Sequence, residues 1–467
     1  MPHYETKVSV ISYRIEFSQK VGSPNLFGSP LWKRGAGWIS LNKLRRPSSS
    51  IYLRRNKVGL DIYAIRQEFP LVNEVVYLNT GTVGISPKPV VEQVLKAIER
   101  FEVRGQTAWG ESEAGMNESR KRLATLLGVS PLEIAFTRNA TDGVNLVTNG
   151  IAWRQGDEVL LSDQEHPAML FPWTHLQQRG YITLKRFEID INSAKTLFNI
   201  RQALTPQTRL LATSHVTSQA GIRVPGKEIC ALCKERGVLI LLDGAQAVGQ
   251  FPIDLKAIGC DFYTGNIHKW LLGPKGTGFF YVTQEFLNDT SPPMSSPSPI
   301  PPVYGGEQGG GGGRGDRVNS LQPTWVGAGS GGFDARGLLP SPSAQRFEYG
   351  TRDFGKYAGI SPLLDWFETL GWQNVEEHLR ELSSFLKTEL KRIPKVRLFT
   401  PDQWERSSAM TTFALSGLSS NEISRRLWES HRVLVRTVGE FDAVRISTAV
   451  FNTVEEVELL LRLIREM

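Results

Sequence analysis

The sequence predicts an α/β protein, a large and mostly parallel sheet domain followed by a smaller C-terminal α/β domain. Three observations predict it. Short apolar runs alternate with helix-periodic segments from about residue 90 to 282, and such alternation builds parallel sheets. Residues 238–242, Val-Leu-Ile-Leu-Leu, form an unbroken branched run of the kind found in strands buried on both faces. A second series of helices and strands starts near Phe347, beyond a Ser, Pro and Gly stretch, so two domains share the 467 residues.

The elements follow in order. Residues 1–57 carry eleven Lys or Arg against Glu5 and Glu16, a charge of +9 that leaves −2 for the rest of a chain whose net charge is +7. This extension reads as disordered, or as a start assigned too far upstream; an organellar transit peptide is the alternative, and the fold is expected to begin near Val58 to Asp61. In the large domain, 58–288, amphipathic helices are expected at 90–103 and 116–127. Strands are expected at 134–137, 158–162 and 210–214, a crossover helix at 225–236, and strands at 238–242 and 279–282. Residues 289–330 read as a low-complexity insertion, with Ser-Pro repeats and then Gly309 to Gly313, too polar to repay its ordering entropy. That glycine run lacks the Lys-Ser or Lys-Thr of a phosphate loop. The small domain, 331–467, should hold helices at 360–370 and 375–392 and strands near 410–415, 433–438 and 443–448. Its last helix starts at Asn452 or Thr453, with Glu456 closing a capping box.

Composition narrows the function. With 40% hydrophobic and 22% charged residues the chain is an ordinary globular one, and no apolar run reaches the roughly 18 residues of a membrane span. A soluble, cytosolic protein is expected, in a plastid or mitochondrion only if the basic tail is a transit peptide. The excess basicity sits in that tail without a nucleic-acid motif, so neither nucleic acid nor membrane is an expected partner, and no metal site is expected.

The chemistry lies after the central strand. Asp243 emerges at the carboxyl end of 238–242, where open α/β sheets bind ligands. Lys269 follows in a polar, Gly-flanked loop, Asn266-Ile267-His268-Lys269-Trp270. An acid at a strand end is ordinarily a turn former, and a Lys in a Gly loop is ordinarily solvated. Together they are what an enzyme needs to hold pyridoxal 5'-phosphate: a carboxylate for the pyridine nitrogen and an amine for covalent attachment. The phosphate would need an anchor, and at Arg138-Asn139-Ala140-Thr141-Asp142-Gly143 a strand ends and a helix begins, placing backbone donors at Ala140 and Thr141.

Asp243-Gly244-Ala245-Gln246 and His268-Lys269, with Gly273-Pro274-Lys275-Gly276-Thr277-Gly278, resemble the class V aminotransferase and cysteine desulfurase family of fold-type I pyridoxal phosphate enzymes. The resemblance runs from about Tyr77 to the C-terminus, with one interruption. It implies that Lys269 and His268 are the catalytic pair and that His166, in Glu165-His166-Pro167-Ala168, stacks on the pyridine ring. It also implies that Gln246 donates to the ring oxygen, and that Asn266 and His268 help with the phosphate. His215 stands where the family often has Asn, and the resemblance implies that it contacts the ring oxygen. Gly350-Thr351 matches a pair lent by a partner subunit, which implies a homodimer with a shared active site. Arg445 matches the Arg that binds the carboxylate of a small amino-acid substrate, and Arg436 is its plausible neighbour.

The cysteines choose among branches of that family. Desulfurases that carry sulfur as an enzyme persulfide need a thiol on a mobile loop late in the chain, and no cysteine follows Lys269; the three present are Cys230, Cys233 and Cys260. Cys230 and Cys233 fall within the expected 225–236 helix, where packing outweighs a redox pair. The remaining pattern is most similar to the L-cysteine/cystine carbon–sulfur lyases. The resemblance then implies β-elimination from cystine or cysteine to pyruvate, ammonia and persulfide or sulfide, a sulfur source for iron–sulfur cluster assembly. An epimerase like isopenicillin N epimerase and a transaminase remain alternatives, since both begin with removal of the α-proton. A degenerate paralogue that only binds partners is the non-enzyme alternative, against which the intact Asp243, Gln246, His268, Lys269 and Arg445 stand.

Overall fold

The computed structural model describes residues 59–288, 321–334 and 337–467. The expected extension 1–57 and the Ser-Pro and poly-Gly part of the expected insertion lie outside the described residues.

After a short strand β1, Val76–Tyr77, come β2, Ile134–Thr137; β3, Glu158–Ser162; β4, Thr183–Phe187; β5, Thr208–Ser214; β6, Leu239–Asp243; β7, Phe262–Asn266; and β8, Gly278–Val282. Seven of these make one sheet in the order β2-β8-β7-β6-β5-β3-β4. Its pairings from β4 across to β7 are parallel, and β8 runs antiparallel to both β7 and β2. The mostly parallel α/β sheet expected from the sequence is therefore present. β6 is buried at every position, as its unbroken apolar run requires.

Helices cover both faces. Lys88–Arg104 and Trp109–Leu126 precede the sheet, the second beginning earlier than its periodicity suggests. Gly226–Glu235 is the crossover between β5 and β6, and it buries Ile229, Cys230, Leu232 and Cys233. β4 and the helices flanking it, Pro167–Gln178 and Ser193–Ala203, were not anticipated. β4 is an edge strand carrying Lys185 and Arg186, so it lacks the apolar signature on which strand assignment rests.

A hairpin of β9, Gly331–Asp334, and β10, Gly337–Pro340, comes next. Then follow β11, Val396–Leu398; β12, Met410–Leu415; β13, Val433–Leu434; β14, Arg436–Val438; and β15, Ala443–Ser447. The four-stranded sheet β11-β12-β15-β14 is antiparallel and packs on the helices Trp372–Lys391 and Val454–Arg465. The single strand expected at 433–438 is two: Val433–Leu434 pairs in parallel with β1, and Arg436–Val438 pairs with β15. The last helix is capped by Thr453 with Glu456 in a capping box. Asn452 instead donates to Tyr77 O and accepts from Ala449 N.

The segment leaving β1 is a strap from the small sheet to the large one. Ser447 N donates to Leu78 O at 2.8 Å, Gly84 N to His268 O at 2.9 Å, and Ser86 Oγ to Gly273 O at 3.1 Å. It joins strand β15 to the turn that carries Lys269.

Candidate active site

The carboxyl ends of β3, β5, β6 and β7 converge on a cavity of about 220 Å³. Asp243, Gln246, Asn266, His268, Lys269, Ala140, Thr141 and His166 all line it, so most of the residues singled out from the sequence share one space.

Asp243 ends β6 in register with Ser214 of β5 and Thr264 of β7. Its carboxylate accepts from Ala245 N at 2.8 Å. The turn that permits this needs glycine next, because a Cβ on Gly244 would sit 2.1 Å from Tyr263 Oη. Burial raises the Asp243 carboxyl above its usual range, while the Ala245 amide and the Lys269 charge pull it back.

Lys269 lies in the turn after β7. Burial lowers its amine to about 8, Arg445 and Arg436 push the same way, and Asp243 opposes them. Near neutral pH a usable fraction is therefore the free amine. Leu272 N closes the turn on Lys269 O at 3.0 Å, with Leu272 at a φ of 58°. A bulky residue there stores about 1–3 kcal/mol, which surrounding contacts must hold. The strap provides one: Gly84 lies so close that a Cβ would fall 2.1 Å from Lys269 O.

The helix Ala140–Gly150 aims its N-terminus at the cavity, with Asn139 as cap to Asp142 N at 3.2 Å. Gly143 lets it approach β7, since a Cβ would meet Thr264 Oγ1 at 2.3 Å. Asn266 Oδ1 accepts from Ala140 N at 2.8 Å and fixes helix to strand. His268 holds Thr277 O through Nδ1 at 2.9 Å, and burial, foremost, lowers its pKa. Gln246 is engaged at both ends, Nε2 to Gly81 O and Oε1 from Trp270 Nε1, each at 2.8 Å. One N–H of its amide remains for a ligand.

His166 caps the helix Pro167–Gln178, its Nδ1 accepting from Ala168 N at 3.1 Å, so the neutral ring carries its proton on Nε2. Burial, with the charges of Lys269, Arg436 and Arg445, holds it at about 4. The imidazole is therefore neutral at pH 7.

Other expected residues stand apart. His215 does not line the cavity: strand alternation turns Ser214 into it and puts His215 against Phe251 and Tyr263, with Nδ1 2.9 Å from Tyr263 Oη. Burial, then Arg223, lowers His215 to about 3. Gly350 and Thr351 lie outside the cavity; Thr351 lines a separate cleft of about 900 Å³ with Arg138 and Tyr349. Arg445 is behind Thr82, which lines the cavity and accepts from Arg445 Nη2 at 3.2 Å. Arg436 faces Arg445 across the β14–β15 pairing.

Sequence reasoning passed over three participants. The strap is one, its Asn79-Thr80-Gly81-Thr82 turn residues being the only signal. Ser214 is the second. Glu165 is the third: buried, with no ion pair to a cation among the described residues, it accepts from Ser162 Oγ, from Ser214 Oγ at 2.7 Å and from Ser214 N at 2.9 Å. Burial lifts its carboxyl to about 7 against those bonds, and Asp243 adds to the rise. An acid between a strand and a capping His carries no periodic signature.

The sequence model of the family described as aminotransferase class-V matches residues 76–303 and 313–460. Isopenicillin N epimerase of Amycolatopsis lactamdurans is 30% identical over 428 residues, 86% of this chain and 97% of that protein. Probable cysteine desulfurase 2 of Mycobacterium leprae (strain TN) is 30% identical over 436 residues, 86% of this chain and 95% of its own length. A solved complex of the cystine C-S lyase C-DES with its reaction product cysteine persulfide is 27% identical, with a TM-score of 0.73, over 85% of this chain and 99% of that one. The same lyase has been solved, as a lysine-to-alanine mutant, with glycine covalently linked to its pyridoxal phosphate cofactor.

Proposed function

Because the chain belongs to the class V aminotransferase family, a family of pyridoxal phosphate enzymes, we propose that it is a carbon–sulfur lyase acting on cystine or cysteine. The cavity fits that cofactor on its own evidence. A buried carboxylate ends β6 with one backbone donor, a buried amine without a carboxylate in ion-pair range among the described residues faces it, and a helix N-terminus points at the same space. Asp243 would hold the pyridine nitrogen; Thr141, the Nδ2 amide of Asn266 and His268 would hold the phosphate at the helix start Ala140, whose own N–H is taken by Asn266 Oδ1; His166 would take the ring face and Gln246 the ring oxygen. When bound, the cofactor supplies an electron sink that stabilises charge developing at the α-carbon of an amino acid.

The chain's own residues do the rest. Arg445 receives the substrate carboxylate, and Arg436 beside it suits a substrate with a second carboxylate, as cystine has. Lys269, its amine near 8, takes the α-proton, and the β-sulfur leaves with its electron pair. From cystine and water the products are pyruvate, ammonia and cysteine persulfide.

The observation that carries the lyase over a desulfurase is the state of the thiols. Cys230, Cys233 and Cys260 are all buried, and burial raises the first two to about 12 and the third well above the usual thiol range. None lines the cavity, so the sulfur stays on the substrate's own fragment. The persulfide would then feed iron–sulfur cluster assembly in the cytosol. The enzyme is proposed to act as a homodimer, with Gly350 and Thr351 completing the partner's phosphate site.

A second reading, epimerisation, is favoured by the isopenicillin N epimerases of Amycolatopsis lactamdurans and Streptomyces clavuligerus, 30% and 31% identical to this chain. Proton removal by Lys269 serves either outcome. Pyruvate release by the cofactor-loaded protein with cystine, with cysteine and with alanine as control separates them, with the cystine reaction probed for persulfide. Pyruvate and persulfide from cystine support the lyase. No pyruvate, with α-hydrogen exchange into an amino acid in deuterated water, supports the epimerase.

A further inference from the structure

Arg445 is 2% exposed, and the fold treats its nitrogens unequally. Nη1 donates to Ser218 O at 2.6 Å, Nη2 reaches Thr82 Oγ1 at 3.2 Å, and Nε has no partner among the described residues. Nε and Nη2 form the side-on edge of a guanidinium, one of the edges that a carboxylate takes with two parallel bonds. The firmly anchored nitrogen is thus the one off that edge. The edge itself is held by one long bond, and no carboxylate of the described residues forms an ion pair with Arg445. Burial, then Arg436, lowers the guanidinium to about 9, which a bound carboxylate would reverse.

Gly81 lies against the same edge. A Cβ there would be 2.8 Å from Ser447 Oγ, 3.1 Å from Arg445 Nη2 and 3.2 Å from Gln246 Oε1. Gly81 does not have a positive φ, so the glycine provides clearance and not backbone freedom. Ser447 is fully buried, and its hydroxyl has no partner among the described residues. Buried polar atoms without partners are rare, and here Arg445 Nε and Ser447 Oγ lie two residues apart on one face of β15. Their position is fixed by the strap, through the Asn79–Ser447 bridge and the bond from Ser447 N to Leu78 O.

We propose that Ser447 and Gly81 complete the carboxylate subsite of Arg445: the Ser447 hydroxyl is a further donor for an amino-acid carboxylate, and the absent side chain of Gly81 keeps the guanidinium edge open to it. The proposal rests on the reading of Arg445 as the substrate-carboxylate group and adds the two residues that set which carboxylates are admitted. Ser447 has no bond to the lysine turn and Gly81 reaches it only through Gln246, so their effect is expected on binding before proton removal.

Glycine is the probe, because it offers a carboxylate and an amine with no side chain and needs no particular reaction. Its binding to the cofactor-loaded protein is followed by the change in cofactor absorbance, in the parent, Gly81→Ala, Ser447→Ala and the double variant. Each single substitution should raise the Kd for glycine about tenfold, the scale of one hydrogen bond to a charged group. Cofactor absorbance should stay at its parental value, while the thermal midpoint should fall for Gly81→Ala, whose methyl would overlap Ser447 Oγ at 2.8 Å, and fall less in the double variant. Since Ser447→Ala removes the atom 2.8 Å from the new methyl, Gly81→Ala should cost clearly less in the double variant than alone. An unchanged Kd in the single variants overturns the proposal. So does an equal cost of Gly81→Ala in both backgrounds, or loss of cofactor absorbance along with glycine binding. A parent that holds cofactor but does not bind glycine sinks the amino-acid reading itself, and the subsite with it.

Discussion

The two banks of the cavity are built differently. On the lysine bank, at the ends of β6 and β7, polar groups are largely spent inside the protein: Gln246 at both ends, Asn266 on Ala140 N, His268 on Thr277 O and Asp243 on Ala245 N. On the arginine bank, around β15 and the strap, Thr80 Oγ1, Arg445 Nε and Ser447 Oγ are buried with no partner among the described residues. A bank with its side chains locked suits a resident cofactor, whose position must not vary between turnovers. A bank with donors in reserve suits a ligand that comes and goes, since those donors regain full value when it arrives. Substitutions on the first should therefore act on kcat, and on the second on KM.

Lys269→Ala is the sharpest way to break that division. It should abolish the cofactor's absorbance near 420 nm, roughly the band of a lysine-held pyridoxal phosphate, and lower kcat at least 10⁴-fold, at or beyond the usual scale of one general base. Retention of both would remove Lys269 from the chemistry. Asp243→Asn should follow, with kcat down about 10² to 10³-fold as for loss of one preorganised charge, and KM nearly unchanged. A selective rise in KM there would erase the distinction between the banks. Arg445→Met should do the reverse, raising KM about 100-fold while kcat moves little, because paired hydrogen bonds to a carboxylate are lost before chemistry begins. Steady-state kinetics on whichever substrate the pyruvate test identifies would read both.

How far each bank was legible in the sequence follows from how it is assembled. Asp243, Gln246, Asn266, His268 and Lys269 sit at the ends of two adjacent strands, so an apolar run and the polar residues after it marked them together. Arg445 was marked by resemblance, but Thr82, its partner here, is 363 residues away and carries no periodic signal linking it to β15. His215 shows the limit on the lysine bank itself. The resemblance picked out the end of β5, yet one step of strand alternation separates His215 from Ser214 and puts it under the sheet against Tyr263. Edge strand β4 and the division of 433–438 between two sheets failed for a related reason. Pairing partners, which no local pattern contains, decided both.

Glu165 lies beneath both banks and gives the smallest expected effect. Its carboxyl rises from 4.5 to about 7 because burial outweighs three hydrogen bonds, so the folded protein holds a proton that the unfolded chain releases at lower pH. Between those values the native state binds more protons than the unfolded one, and stability should fall as pH rises from about 4.5 to about 7 and then level off. Glu165→Gln keeps one oxygen to accept from Ser214 N and Ser162 Oγ, lets its amide donate to Ser214 Oγ in place of the second oxygen, and removes the titration. Thermal midpoints of parent and variant at pH 5 and pH 7.5 should therefore diverge, the variant losing less on going to the higher pH. An equal loss in both would mean that Glu165 is ionised throughout this range, and that Ser162 and Ser214 stabilise its charge more than burial opposes it. In that event a fixed negative charge would stand beneath Asp243 at every working pH. It would keep the Asp243 carboxyl raised, and the cofactor's nitrogen would owe its proton to two acids and not to one.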